Sequence, residues 1–184
     1  MNKNNRVITL SIIAIIIFMA IGINVKGSKE GILFDVKVMD YIHNRTTPSG
    51  IAIMKKVTYF GSAYFFIPIG ILVLPIMVKK KNPNGIILLL LSTLGSYGLN
   101  ALLKSIFIRT RPLKYLLIQQ GGYSFPSGHA MVSMAFYTTM TYLLLKNEDR
   151  RKVKITSWTI NFTVIALIGF SRIYLGVHWP TDVL

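Results

Sequence analysis

The chain has 184 residues, 52% of them hydrophobic and only 15% charged, with a formal net charge of +15 and no cysteine. A soluble domain carries about 25% charged residues, and here the apolar residues fall in blocks long enough to cross a bilayer. Composition therefore excludes a soluble globular enzyme, and the lack of thiols excludes disulfides and thiolate metal sites. Lys and Arg lie between the apolar blocks rather than along an amphipathic surface. Most of the positive charge thus belongs to the flanks of membrane spans, and nucleic acid is not an expected partner. The 3 His and 6 acidic residues are too few and too dispersed for a metal cage, and no Gly-rich nucleotide loop is present, so neither a metal nor another cofactor is expected.

In chain order, Met1 to Arg6 is short, polar and basic, and Val7 to Ile23 is almost wholly apolar, enough for a first span. A cleaved signal peptide shares that charged start and apolar middle. Its small-residue site, Ala20-Ile21-Gly22, would lie inside the apolar run rather than after it, which favours a retained span. Gly27 to Lys56 is the longest polar stretch. Ile32, Val36, Met39 and Ile42 recur there at helical spacing, with Asp35, Lys37 and Asp40 between them. This predicts an amphipathic helix on the membrane surface, broken by Thr47-Pro48-Ser49-Gly50. His43 reads as a solvated surface residue without a role.

Tyr59 to Val78 is a second span, closed by the basic turn Lys79-Lys80-Lys81-Asn82-Pro83-Asn84. Gly85 to Leu103 is a third, and its small, polar second half (Gly95, Ser96, Tyr97, Gly98, Asn100) predicts a face against other helices. Ile106 to Phe125 reads as a connecting loop. His129 to Leu145 is a fourth span, with Ser133, Thr138, Thr139 and Thr141 able to bond to backbone or to neighbouring helices. After a second basic turn, Lys146 to Lys154, comes a fifth span, Ile155 to Phe170. A further segment begins at Asp182-Val183-Leu184, and a sixth span is expected beyond Leu184. The expected fold class is all-α: a polytopic membrane helix bundle forming one domain over residues 1–184, with a surface-helix region near 27–56.

Basic residues set the expected orientation. With the N-terminus inside, Met1–Arg6 and both dense basic turns face the cytoplasm of a cell membrane. The loop with Arg111, the start of the fourth span and the segment after Phe170 then share the outer face. The surface-helix region also falls outside, and its Lys26, Lys29, Lys37, Arg45, Lys55 and Lys56 run against the rule.

Three polar clusters meet at that face. The first is Lys104 with Arg111-Pro112, two cations seven residues apart and so two helical turns from each other if the helix persists. The second is Pro126-Ser127-Gly128-His129, closing the stretch that starts at Tyr123-Ser124-Phe125, and its Ser127 can cap a helix whose free N–H groups form an anion site. The third is Ser171-Arg172, His178 and Asp182, and the His–Asp pair is spaced i, i+4 with Pro180 between, so it straddles a helix start. Singly, the cations are ordinary snorkelling ends of spans and the His–Asp pair an ordinary surface ion pair. Together, ionisable groups at the membrane are costly and functional.

The chemistry these groups suit is phosphoryl transfer. A transferring phosphoryl group spreads negative charge over three oxygens, which Lys104, Arg111, Arg172 and the N–H groups of Ser127, Gly128 and His129 can hold. A neutral His178, its tautomer fixed by Asp182, can attack phosphorus, and His129 can protonate the departing oxygen and later deprotonate water. No step needs a metal.

In order and spacing, Lys104-x6-Arg111-Pro112, Pro126-Ser127-Gly128-His129 and Ser171-Arg172-x5-His178-x3-Asp182 resemble the three-part signature of the type 2 phosphatidic acid phosphatase superfamily. The signature lies between residues 104 and 182, and the apolar blocks before it look like that family's first three of six spans. The resemblance implies a six-helix membrane bundle and metal-independent dephosphorylation of a membrane lipid through a phosphohistidine. It implies His178 as nucleophile, Asp182 as its orienting partner and His129 as acid/base, with Lys104, Arg111, Ser127, Gly128 and Arg172 as phosphate ligands. Expected substrates are lipid phosphates or diphosphates such as phosphatidylglycerophosphate, phosphatidic acid or undecaprenyl diphosphate. A lipid phosphotransferase would use the same intermediate, and a non-catalytic binder of anionic lipid would need the cations but not the His–Asp pair. A vanadate-dependent haloperoxidase shares a similar pocket, but the membrane spans argue against it.

Overall fold

The structure, a computed structural model, describes residues 2–79 and 81–184. Met1 and Lys80, which belong to the expected basic inner segments, lie outside the described residues. The chain forms helices α1 (Lys3–Val25), α2 (Leu33–His43), α3 (Pro48–Tyr59), α4 (Ala63–Lys79), α5 (Pro83–Phe107), α6 (Gly128–Leu145), α7 (Arg151–Tyr174) and α8 (Pro180–Val183), with a 3-10 turn at Leu113–Tyr115. Among the described residues, four apolar segments are long enough to cross a membrane: Asn4–Val25, Pro48–Lys79, Pro83–Phe107 and Arg151–Tyr174. The expected fourth span forms as α6. It is more polar than those four because His129, Ser133, Thr138, Thr139 and Thr141 lie along it, and it packs between α5 and α7.

Burial follows what a bilayer dictates. Val7, Leu10, Ile15 and Ile16 on α1, Ile67, Ile71 and Leu72 on α4, and Leu91 and Leu94 on α5 stand more than half exposed, as lipid-facing side chains do. Inside, Phe66 and Met77 of α4 pack with Leu89 of α5 and with Val132 and Phe136 of α6. A second cluster joins Phe18 and Val25 of α1 to Phe107 and Phe125 beneath the site. Pro68 and Pro75 lie inside α4 without ending it, as neighbouring helices permit for membrane helices.

In three places the local reading changes. The polar half of α5 does not turn as a block toward its neighbours: Ser92, Ser96 and Asn100, spaced by four, point inward, while Gly95, Tyr97 and Gly98 are exposed on the other side. Ser92 accepts a bond from Thr139 of α6 at 3.0 Å. Thr47-Pro48-Ser49-Gly50 starts a helix rather than ending one. Thr47 caps α3, its Oγ1 accepting the Gly50 N–H at 3.1 Å, and Pro48 takes the first turn. The apolar face of α2, finally, docks on protein: Met39 is fully buried against Tyr115 and Trp179. His43 is half-buried, its Nδ1 2.9 Å from the Met39 carbonyl and its ring 4.9 Å from that of Tyr115, so it is not the solvated residue expected.

Chain direction fixes where the site lies. α5 and α7 run toward the end where α6 begins, so the end of α5, the start of α6 and the end of α7 meet there. The basic turns between α4 and α5 and between α6 and α7 fall at the opposite end.

Candidate active site

α5 ends at Phe107 because Ile108 turns into the left-handed region (φ 43°), its N–H returning to the Lys104 carbonyl at 3.0 Å. The helix does not persist to Arg111 as the spacing allowed. A loop carries Arg111 back over the helix end instead. There its guanidinium is buried and pinned by backbone: Nε donates to the carbonyls of Gly121 and Gly122 at 3.1 and 3.0 Å, Nη1 to Val177 at 2.6 Å and Nη2 to Tyr123 at 3.2 Å. Lys104, half-buried on the last turn of α5, donates to the Tyr123 carbonyl and, at 3.3 Å, to that of Ser124.

α7 closes on Leu175-Gly176. Gly176 has φ +70°, and a Cβ there would fall on the Tyr115 carbonyl, so this turn requires glycine. It delivers His178, 2% exposed. Trp179 and Pro180 then start α8, and the Asp182 carboxylate accepts the Trp179 N–H at 2.8 Å, so the His–Asp pair does straddle a helix start. His178 Nδ1 lies 3.3 Å from Asp182 Oδ2 and 3.4 Å from Ser124 Oγ, while Nε2 lies 3.2 Å from Arg111 Nη1. A guanidinium can only donate, so Nε2 is the acceptor and the proton sits on Nδ1, toward Asp182. Burial pushes the imidazole down to about 4, against the opposing pull of Asp182. At neutral pH the ring is uncharged.

Arg172 reaches the same place from the last turn of α7. It is buried, with Nη1 donating to Thr58 of α3 at 2.7 Å and Nη2 to Gln120 at 3.0 Å. Its Nε has no partner among the described residues. Ser127 caps α6, its hydroxyl 3.5 Å from the Ala130 N–H. Its own N–H donates to the Asp182 carbonyl at 2.8 Å, so it is not the free donor expected from the spacing. Gly128 and His129 open the helix, where backbone N–H groups have no acceptor within the helix. A Cβ at Gly128 would stand 3.0 Å from Asn100 Oδ1, and Asn100 donates to the Pro126 carbonyl at 3.0 Å. His129 is half-buried beside the α3–α4 corner, within electrostatic reach of Arg172, His178, Arg111 and Lys104. The structure thus gathers every residue singled out from the sequence at one end of the bundle.

Four participants have no role in the site expected from the sequence: Arg109, Asp35, Thr181 and Ser124. Arg109 is fully buried and bridges two carboxylates, Nη2 to Asp35 Oδ2 at 2.5 Å and Nη1 to Asp182 Oδ1 at 2.6 Å, with Nη1 also 2.8 Å from Thr181 Oγ1. Asp35 receives the Thr181 N–H at 3.0 Å, and the Ser124 hydroxyl donates to Asp182 Oδ2. One signal was present in the sequence. Asp35 lies three residues after Ile32 and four before Met39, on the buried face of α2, where an acid needs a partner.

Membrane helices gathered around a buried His–Asp pair and three cations define an integral-membrane protein with a charged, partly buried pocket at one end of its bundle. The chain belongs to the PAP2 superfamily, whose family model matches residues 85–184. It is 33% identical over 134 residues to phosphatidylglycerophosphatase B of Bacillus subtilis, a match covering 72% of this chain and 66% of that protein. It is 28% identical over 180 residues to an undecaprenyl-diphosphatase of Sulfolobus acidocaldarius, covering 94% of this chain and 82% of that one. The crystal structure of a transmembrane PAP2-type phosphatidylglycerolphosphate phosphatase from Bacillus subtilis superposes with a TM-score of 0.83 at 27% identity, covering 92% of this chain and 84% of the other.

Proposed function

We propose that this protein is a membrane lipid phosphatase that removes phosphate from a lipid monoester or diphosphate through a phosphohistidine on His178, without a metal ion. One observation carries the reading: His178 is buried with Nδ1 on Asp182 and Nε2 beside the Arg111 guanidinium, 3.2 Å away. A nucleophilic nitrogen held next to a fixed cation suits attack on a bound phosphate. Family membership and the names of the relatives support the substrate class.

In the proposed reaction the Nε2 lone pair forms the N–P bond as the P–O bond to the lipid breaks. His129 gives its proton to the departing oxygen, then takes one from the water that attacks phosphorus and releases phosphate from His178. Lys104, Arg111 and Arg172, with the N–H groups at the start of α6, hold the phosphoryl oxygens, and their charge supplies what a metal otherwise would. Ser127 and Gly128 act by shaping that helix start. Residues 1–184 work as one domain in this reading, since α2, α3 and α5 to α8 each contribute to the site. Phosphate release from phosphatidylglycerophosphate, phosphatidic acid and undecaprenyl diphosphate, each with a chelator present, is the direct test. Metal-independent turnover of at least one is expected, and activity lost to chelator and restored by a divalent cation would refute the mechanism.

We further propose that the site opens on the outer face of the cell membrane. The basic turn at Lys146–Lys154 and the cations at Lys79 and Lys81 lie at the other end of the helices, where the positive-inside bias places them in the cytoplasm. Because the chain has no cysteine, a cysteine put at exposed Leu113 reports the side directly. An impermeant maleimide should label it in intact cells, and labelling only after lysis would reverse the orientation.

A further inference from the structure

The buried charges that the proposed reaction does not use are those of Asp35 and Arg109. Both are fully buried, on α2 and on the loop after α5, 74 residues apart in sequence. Burying a charge is costly unless it is paired and hydrogen-bonded. Here the pairing is elaborate: Arg109 spans Asp35 and Asp182 with one nitrogen on each, and Thr181 bonds to Asp35 through both its N–H and its hydroxyl, at 3.0 and 2.9 Å. The Arg109 guanidinium also stands 5.5 Å from the Trp179 ring, in the chain segment that carries His178. The surface helix α2 is therefore tied by charge to the carboxylate that faces His178.

We propose that Arg109 and Asp35 are positioning residues for the His178–Asp182 pair: Arg109 fixes Asp182 by its Oδ1, and Asp35 shares the Arg109 charge so that Asp182 keeps enough of its own to polarise the imidazole. This rests on His178 being the nucleophile. The division of labour on Asp182 supports it, since Oδ1 takes Arg109 while Oδ2 takes His178, Ser124 and the Trp179 N–H. With two carboxylates and one guanidinium, the trio carries one net negative charge beside the imidazole. The other groups facing His178 are Arg111 from the loop, Arg172 from α7 and Ser124, with His129 on α6 and Lys104 on α5 in the same pocket. All the charged ones among them are cationic or become so on protonation, so the trio is the sole source of negative charge named there.

Opposite substitutions should therefore move His178 in opposite directions. Asp35→Asn leaves Arg109 wholly to Asp182 and should lower the His178 titration midpoint, whereas Arg109→Gln leaves the carboxylates uncompensated and should raise it, each by about one pH unit. The chain has 3 His, so protein labelled with carbon-13 histidine in detergent micelles gives three imidazole signals, and loss of one in His178→Gln assigns it. Midpoints that stay put, or that move the same way in both variants, overturn the proposal. Arg109→Lys keeps the charge but not the fork and guards against a variant that fails to fold. In phosphatidic acid micelles it should lose about tenfold in kcat with little change in KM, because the phosphate ligands are intact; an unchanged kcat also overturns the proposal. His178→Ala separates the two failures. If that variant keeps its activity, the nucleophile assignment is wrong; if it is inactive and the midpoints do not shift, only the positioning role is.

Discussion

Replacing His178 by Ala is expected to abolish phosphate release, with a loss of at least about 10⁴-fold, the scale seen when a covalent nucleophile is removed. No other group of the pocket has the same pairing among the described residues. His129 stands on α6 and has no carboxylate partner among the described residues, while Ser124 donates its hydroxyl to Asp182. Among the described residues, His178 alone has one nitrogen on a carboxylate and the other beside an arginine. Because burial holds the free imidazole down to about 4, the proposed nucleophile is already neutral at physiological pH. The acid limb of kcat/KM for the wild-type protein should accordingly lie below the ~6.5 of an exposed histidine. Rapid quench of the wild type with phosphorus-labelled lipid should trap label on protein in an acid-labile, alkali-stable form, and His178→Ala should trap none. Trapped label on another residue, or full turnover without His178, would sink the mechanism.

His129→Ala should cost about 10² to 10⁴-fold on lipid substrates, the usual contribution of a positioned acid or base. What distinguishes an acid/base role from a packing role is its dependence on the leaving group. With p-nitrophenyl phosphate the departing phenolate needs no proton, so the first half-reaction should survive in this variant while hydrolysis of the phosphohistidine, which needs a base, stays slow. The expected result is a burst of nitrophenolate equal to the enzyme present, followed by slow turnover and accumulated phosphoenzyme. If instead both substrates suffer equally and no burst appears, His129 serves the fold and not the chemistry.

Much of this site could be read from the chain itself, because its chemistry demands particular residue types at spacings that helix ends impose. The cations at Lys104, Arg111 and Arg172 and the pair His178–Asp182 needed only to be recognised as lying at one membrane face. Other parts were hidden for physical reasons. Arg109 and Asp35 form an ion pair between residues that no local periodicity connects, and an isolated Asp in a polar stretch looks solvated until its partner arrives. Thr47-Pro48 carries two opposite meanings, since a proline that stops one helix equally suits the first turn of the next. The loop path between Lys104 and Arg111 depends on Ile108 adopting a left-handed backbone, which an isoleucine rarely does.

Arg111 and Arg172, the two arginines of the proposed phosphate pocket, are anchored in different ways. Four carbonyl groups of the main chain hold Arg111, whereas Arg172 leans on two side chains, Thr58 and Gln120. Moving Arg111 would break the backbone framework of the loop, so its charge is preorganised and would need no rearrangement for the phosphate of the proposed reaction. In the proposed reaction Arg172 would exchange a hydroxyl and an amide for phosphate oxygens and take them back afterwards. On the proposed reaction, the pocket would couple a stationary cation with one that trades partners, so that an incoming headgroup would meet a prepared field and the departing phosphate would leave against ready competitors.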